Sequence, residues 1–188
     1  DEPATEPYLL VSIGTGTSIL RVEGDQVERM GGTALGGGAA LGLGLALTGV
    51  ASSQELNELA LQGDRSLIDL MVSDLFENTE EIGAMVASGF GKLARNAALP
   101  ESERETPNPA DLACAAMGIV ADNIGLLVAA HARGAGVSRI VFGGSTLLTH
   151  PQLELTIRAI AALSGFESSV LPHPGHAGAL GAMLMRRR

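Results

Sequence analysis

The sequence predicts an α/β fold: a mixed sheet that opens with an antiparallel meander and is flanked by helices. Three observations predict it. Tyr8–Ile13, Thr17–Val22 and Gln26–Met30 are short apolar or alternating runs, separated by Gly14-Thr15-Gly16 and Gly24-Asp25. Such punctuation marks consecutive hairpins. The second half of the chain reads helix, strand, helix, strand, helix, the pattern of parallel strands joined by crossovers. Hydrophobic residues make up 46% of the 188 positions, but aromatics only 3%, and there are 25 glycines. Small side chains must therefore do much of the packing, with backbone free to approach backbone or ligand.

Residues 1–7 hold two prolines and read as a linker ahead of one domain, 8–188. After the meander, Gly31–Gly38 reads as a glycine-rich loop and Ala39–Leu47 as an apolar helix. Ser52 and Ser53 can cap the next helix, with Glu55 in its first turn, where a carboxylate complements the helix dipole. That helix stops at Gln62-Gly63. Ser66–Phe76 fits helix or strand. Residues 77–109, broken by Gly, Pro and charge, read as a variable insertion. Thr106-Pro-Asn-Pro sets up the longest helix, Ala110 to Arg133, ended by Gly134 and Gly136. Arg139–Phe142 is a buried strand, Pro151–Leu163 a helix, Phe166–Leu171 a strand and Ala177–Met185 a closing helix.

Composition excludes several classes. A net charge of -9 argues against nucleic-acid backbones and anionic membranes as main partners. The apolar run Ala39–Leu47 is too short to span a bilayer. The start lacks a basic stretch followed by an apolar run. The expectation is a soluble cytoplasmic protein without membrane or nucleic-acid partners. Cys114 is the only cysteine and reads as a small hydrophobe in a helix. His173-Pro-Gly-His176 has no acidic or Cys neighbour, so no metal site is expected. Asp122-Asn123 read as a buried network or a helix–helix seam, and Arg186-Arg-Arg188 as cations at a helix end.

Three glycine bends carry the chemistry. Gly14-Thr15-Gly16-Thr17-Ser18 offers backbone N–H groups and hydroxyls without Cβ bulk, the surface a polyphosphate needs. Taken alone, an ordinary hairpin turn explains it as well. Gly36-Gly37-Gly38 at the start of a helix can present free N–H groups and the positive dipole end to an anion. Alternatively, it only relieves crowding where helix meets strand. No Gly-Lys-Ser/Thr follows, so this is not a Walker A loop. Ile140-Val-Phe-Gly-Gly-Ser145 is a buried strand running into Gly-Gly, the edge at which open α/β sheets bind ligands.

Together these bends resemble the second half of the actin-like ATPase (ribonuclease-H-like) fold. In that superfamily the hairpin is similar to the second phosphate loop and the late Gly-Gly to the adenosine loop. Within it, the sequence resembles the type II pantothenate kinases. Ile13-Gly-Thr-Gly-Thr-Ser-Ile19 is similar to the family's Ile-Gly-Thr/Ser-Gly-x-Ser-Ile stretch. Arg29-Met-Gly-Gly-Thr-Ala-Leu-Gly-Gly-Gly38 is similar to its Arg-Val-Gly-Gly-Thr-x-Ile/Leu-Gly-Gly-Gly. Gly63-Asp64, Ile68-Asp-Leu70, Ser88-Gly-Phe-Gly91, Asp122-Asn-Ile-Gly125 and Gly178-Ala-Leu-Gly-Ala182 continue the likeness from Tyr8 to the closing helix.

The resemblance implies ATP- and Mg²⁺-dependent phosphorylation of pantothenate, on the way to coenzyme A. It implies that Thr15, Gly16, Gly36, Gly37, Gly38, Ala39, Ala40, Ser53, Gly144 and Ser145 bind ATP, and that Arg29 contacts pantothenate. It implies a homodimer through the 110–133 helix and regulation by a CoA thioester. The family's general-base Glu and first phosphate loop lie in an N-terminal domain whose motif is not matched here. The chain is therefore expected to have no catalytic residue of its own and little activity alone, because phosphoryl transfer needs charge neutralised from both sides. The alternative is a nucleotide- or acyl-CoA-binding pseudokinase module.

Overall fold

A computed structural model describes residues 6–80 and 82–185. The first five positions of the expected linker and Arg186-Arg-Arg188 lie outside the described residues. The chain divides into two compact units, Asp1–Leu41 with Val120–Arg188, and Gly42–Ile119.

The first unit is built on a five-stranded sheet of order β3-β2-β1-β6-β7. The meander is β1 (Tyr8–Ile13), β2 (Thr17–Glu23) and β3 (Gln26–Thr33), paired antiparallel. Strand β6 (Arg139–Gly143) runs parallel to β1 and to β7 (Glu167–Val170). Leu9, Val11 and Ile13 alternate into the core with no exposed surface, as do Ile19, Ile140 and Phe142. Ile124 and Val128 of α4 (Pro109–Ala135) and Leu153 and Ile157 of α6 (Pro151–Leu163) are buried in this unit. Short helix α5 (Thr146–Thr149) precedes α6, and α7 (Ala177–Met185) closes the chain. Gly136 ends α4 with a φ of 64°, a left-handed conformation that glycine adopts without strain.

Two expectations change here. Strand β3 continues through Gly31, Gly32 and Thr33, which the sequence suggested were loop. These glycines are needed for close approach: a Cβ on Gly31 would lie 2.7 Å from His131 Nε2, and one on Gly32 would strike the Thr17 carbonyl oxygen. The pairing also contains a bulge. Ile19 faces Gly31 but Leu20 faces Arg29, leaving Met30 as the extra residue. The second change concerns α4. An 18-residue window in it has a mean hydropathy of 1.9, so by length and composition it could cross a membrane. Asp122 and Asn123 interrupt its apolar sequence, so it does not read as one unbroken run. In the structure 61% of that window is buried inside the protein, as in a core helix.

The second unit contains α2 (Ser53–Ala60), a two-stranded sheet of β4 (Leu70–Met71) and β5 (Val86–Ser88), and α3 (Gly91–Ala97). Helix α1 (Gly37–Thr48) and helix α4 each contribute residues to both units. Ser52 caps α2 as expected, its hydroxyl accepting from Glu55 N–H at 3.4 Å. Ile68, Leu112 and Ala115 form a core on which Phe90 and Leu93 pack. The stretch read as insertion is pinned by Asp69, which is fully buried. Its Oδ1 accepts from Phe90 N–H at 2.8 Å and its Oδ2 from Arg65 Nε at 2.7 Å. Asp111, also buried, accepts from Asp64 N–H at 2.7 Å. The Gly63-Asp64, Ile68-Asp-Leu70 and Ser88–Gly91 segments are thus parts of one polar bracket.

Candidate nucleotide site

The three glycine bends meet in the first unit. Gly37 N–H donates to the Gly14 carbonyl at 2.8 Å and Gly38 N–H to the Thr15 carbonyl at 3.1 Å. The start of α1 is thereby bonded to the β1–β2 hairpin. Contact is tight enough to demand glycine. A Cβ on Gly36 would sit 2.7 Å from both the Gly14 and Thr15 oxygens, and one on Gly38 would sit 2.8 Å from Thr15 Cγ2. The third bend arrives through Thr146, whose hydroxyl donates to the same Gly14 carbonyl at 2.8 Å. Gly144, with a φ of 110°, lies so close to Ile13 that any Cβ would strike its backbone. Its N–H donates to Pro174 O at 2.9 Å, which brings the His173–His176 loop alongside Gly144-Ser145.

This geometry decides what each bend can offer an anion. The crowding explanation of Gly36–Gly38 is correct, and the N–H groups of Gly37 and Gly38 are already engaged. Ala40 is fully buried and its N–H donates to Gly36 O at 3.0 Å, so it presents neither group outward. The hairpin gains what the helix gives up. Among the described residues no peptide bond is cis, so each N–H points opposite to the carbonyl of its own peptide group. The Gly14 and Thr15 carbonyls point at α1. The N–H groups of Thr15 and Gly16 therefore point away from it, polarised by the donors behind them. Thr15 is exposed at the tip of this turn, and Ser145 is exposed next to the third bend.

Arg29 borders the hairpin. The bulge at Met30 moves it from the face of Arg21 to that of Leu20 and Ser18. Its guanidinium then lies over Gly32, where an added Cβ would be 3.4 Å from Nη2. Arg29, Gly16, Ser18 and Thr33 are among the residues lining an open depression of about 480 Å³. An exposed guanidinium beside outward N–H groups suits a carboxylate or phosphate, which it can grip bidentately. Ala39 lies in the first turn of α1. Ser53 opens α2 and belongs to the second unit.

Sequence reading missed two residues. Thr17 is buried, and its hydroxyl donates to Leu35 O at 2.8 Å, closing the loop between β3 and α1. Thr146 is buried as well. Its position directly after Gly-Gly-Ser was the signal available. His150 is also buried, with Nδ1 placed against Thr149 Oγ1 at 2.7 Å and Thr146 O at 3.2 Å. A carbonyl can only accept, so Nδ1 carries the proton. Burial pushes the His150 pKa below its ordinary value, and the Thr146 carbonyl partly opposes the shift.

Pantothenate kinase 1 of Arabidopsis thaliana is 38% identical over 94% of this chain and 47% of its own length. A type II pantothenate kinase of Oceanobacillus iheyensis is 37% identical over 94% of this chain and 64% of its own. A 4'-phosphopantetheine phosphatase of Mus musculus is 35% identical over 98% of this chain and 23% of its own. The chain thus spans about half the length of the Arabidopsis relative or less than a quarter of the mouse one. A non-polymerisable mutant of the pCBH ParM protein matches the fold with a TM-score of 0.51 at 10% identity, over 97% of this chain and 47% of that one. The actin-like ATPase fold expected from the three bends is therefore the fold found. Residues 1–185 match the Fumble family, and with relatives of this kind the chain belongs to that family, the type II pantothenate kinases.

Proposed function

We propose that this chain carries the nucleotide-phosphate and pantothenate contacts of a pantothenate kinase, which transfers the γ-phosphoryl group of ATP to the pantothenate hydroxyl. One observation supports it above the others: the hairpin whose Thr15 and Gly16 N–H groups point away from α1 shares, through Gly16 and Ser18, a depression with Arg29. The hairpin would hold ATP phosphates, with Mg²⁺ arriving on the nucleotide. Gly144 and Ser145 would flank the nucleoside. Arg29 would grip the pantothenate carboxylate or amide and steady charge near the transferring group. No acid in this chain is assigned as general base, so the isolated chain is expected to bind ATP·Mg²⁺ without turning it over. A thermal-shift titration with ATP·Mg²⁺ alongside a coupled ADP-release assay tests both parts. No stabilisation by nucleotide refutes the binding role, and robust turnover refutes the dependence on residues elsewhere.

A second reading is a nucleotide- or acyl-CoA-binding pseudokinase module; the mouse relative, 35% identical over 98% of this chain, carries a name other than that of a kinase. Steady phosphorylation of pantothenate by the full-length protein would exclude it. Working as a cytoplasmic homodimer under a CoA thioester regulator completes the leading proposal. On α4, Leu126 is 58% exposed beside exposed Asn123 and Ala130, a face fit for a second copy. A monomer in light scattering at high concentration would count against that pairing.

A further inference from the structure

We propose that Thr146 is a positioning residue for polyphosphate, setting the direction in which the phosphate hairpin presents its N–H groups. The inference rests on the nucleotide reading above and deepens it. Thr146 is 5% exposed, so it is not placed to touch a ligand itself. Its hydroxyl reaches 132 residues back in the chain to the Gly14 carbonyl at 2.8 Å. That oxygen accepts a second bond at 2.8 Å from Gly37 N–H. With both lone pairs satisfied from two elements, the Gly14–Thr15 peptide plane cannot rotate, and the Thr15 N–H on its other edge keeps one heading.

Two further observations place Thr146 at the junction of all three bends. A Cβ on Gly37 would lie 2.5 Å from Thr146 Oγ1, so the side chain is packed directly on the start of α1. Thr146 follows Gly144-Ser145 and begins α5, and its own carbonyl faces His150 Nδ1 at 3.2 Å. His150 is 1% exposed and its Nε2 finds no partner among the described residues. A buried ring oriented from one side only fits a role as anchor for the Thr146 backbone. The hydroxyl thus couples the nucleoside side of the site to the phosphate side, so Thr146 acts through Gly14 on Thr15.

Thr146→Val keeps the shape and removes the donor. The methyl cannot approach the Gly14 oxygen as a hydroxyl does, so the hairpin loses one of its two restraints. Calorimetric titration of the chain with ATP·Mg²⁺ and, separately, with adenosine reads the effect. The expected result is roughly tenfold weaker ATP·Mg²⁺ binding, the worth of one well-placed buried hydrogen bond, with adenosine affinity changed less than about twofold. Thr146→Ser, which retains the hydroxyl, restores most of the ATP affinity. If valine crowds Gly37 and prevents folding, Thr146→Ala removes the donor without that clash and takes its place. Equal losses for ATP and adenosine, or unchanged ATP binding, overturn the assignment while leaving the nucleotide reading intact. Failure of the unsubstituted chain to bind ATP·Mg²⁺ overturns that reading and this inference together.

Discussion

Replacing Asp69 by Ala should destabilise the second unit by about 3 kcal/mol. The carboxylate has no exposed surface and satisfies two donors, Arg65 Nε at 2.7 Å and Phe90 N–H at 2.8 Å. Removing one partner of a buried, hydrogen-bonded ion pair typically costs about 3–5 kcal/mol. The lower end applies, because the Arg65 side chain is 22% exposed and can turn part of its charge to water. The Phe90 N–H has less freedom. Phe90 has a φ of 57°, strained for a non-glycine residue, and the bond to Asp69 holds it there. Asp69→Asn keeps an acceptor for Phe90 but loses the charge facing Arg65, and should cost about 1–2 kcal/mol. Urea unfolding followed by circular dichroism measures both variants. Amide exchange at Phe90 should rise in Asp69→Ala and stay close to the unsubstituted rate in Asp69→Asn. An Asp69→Ala midpoint indistinguishable from the parent, with Phe90 still protected, would refute the claim that this carboxylate fastens the bracket.

Gly36→Ala should lower stability by about 1–3 kcal/mol, since its Cβ meets two backbone oxygens at 2.7 Å that cannot step aside. Gly38→Ala meets the flexible end of Thr15 and should cost less, an ordering that thermal melts of the two variants check. Arg29→Ala should leave the melting temperature nearly unchanged, since the side chain is exposed, while weakening pantothenate binding about tenfold in titration of the full-length enzyme. Arg29→Lys should recover only part of that loss, because an ammonium cannot form the bidentate fork. His150, whose pKa is depressed by burial, contributes stability that is present above the ordinary value near 6.5 and lost as pH falls through its lower folded value. The melting temperature should therefore drop from pH 7.5 to pH 5.5, and less steeply in His150→Asn. Asp64 and Asp74, held below the ordinary carboxylate value by their hydrogen bonds to Ser66 and to Lys92, act only in the more acidic range below about pH 4.

The meander, the late parallel pair and most helices were legible because their signals are local. Tyr8–Ile13 is apolar enough to be a strand wherever it lies, and Ser52 caps α2 with a bond to a residue three positions on. What stayed hidden is set by contacts distant in sequence. Gly31 and Gly32 looked like loop residues because nothing nearby shows that His131, a hundred positions later, will press on one of them. Thr146 follows the Gly-Gly-Ser bend, but its partner Gly14 lies 132 positions away, beyond any local signal. The glycines of the second bend were found, but their purpose was divided between anion binding and crowding. Only the three-dimensional pairing with the hairpin shows that crowding selects glycine while the neighbouring N–H groups face away from α1.

The extra residue in β3 deserves its place for what it does to side-chain parity. A strand alternates faces with a period of two, so one supernumerary position inverts every side chain on the Gln26 side of it relative to a ladder without the bulge. A ladder that kept Gly31 opposite Ile19 but had no bulge would set Arg29 opposite Arg21 and send its guanidinium toward the face occupied by Ile19, while the number of hydrogen-bonded rungs barely changed. In this sheet the reach of one positive charge is counted in single residues, and a register shift of one acts there as a switch of sides.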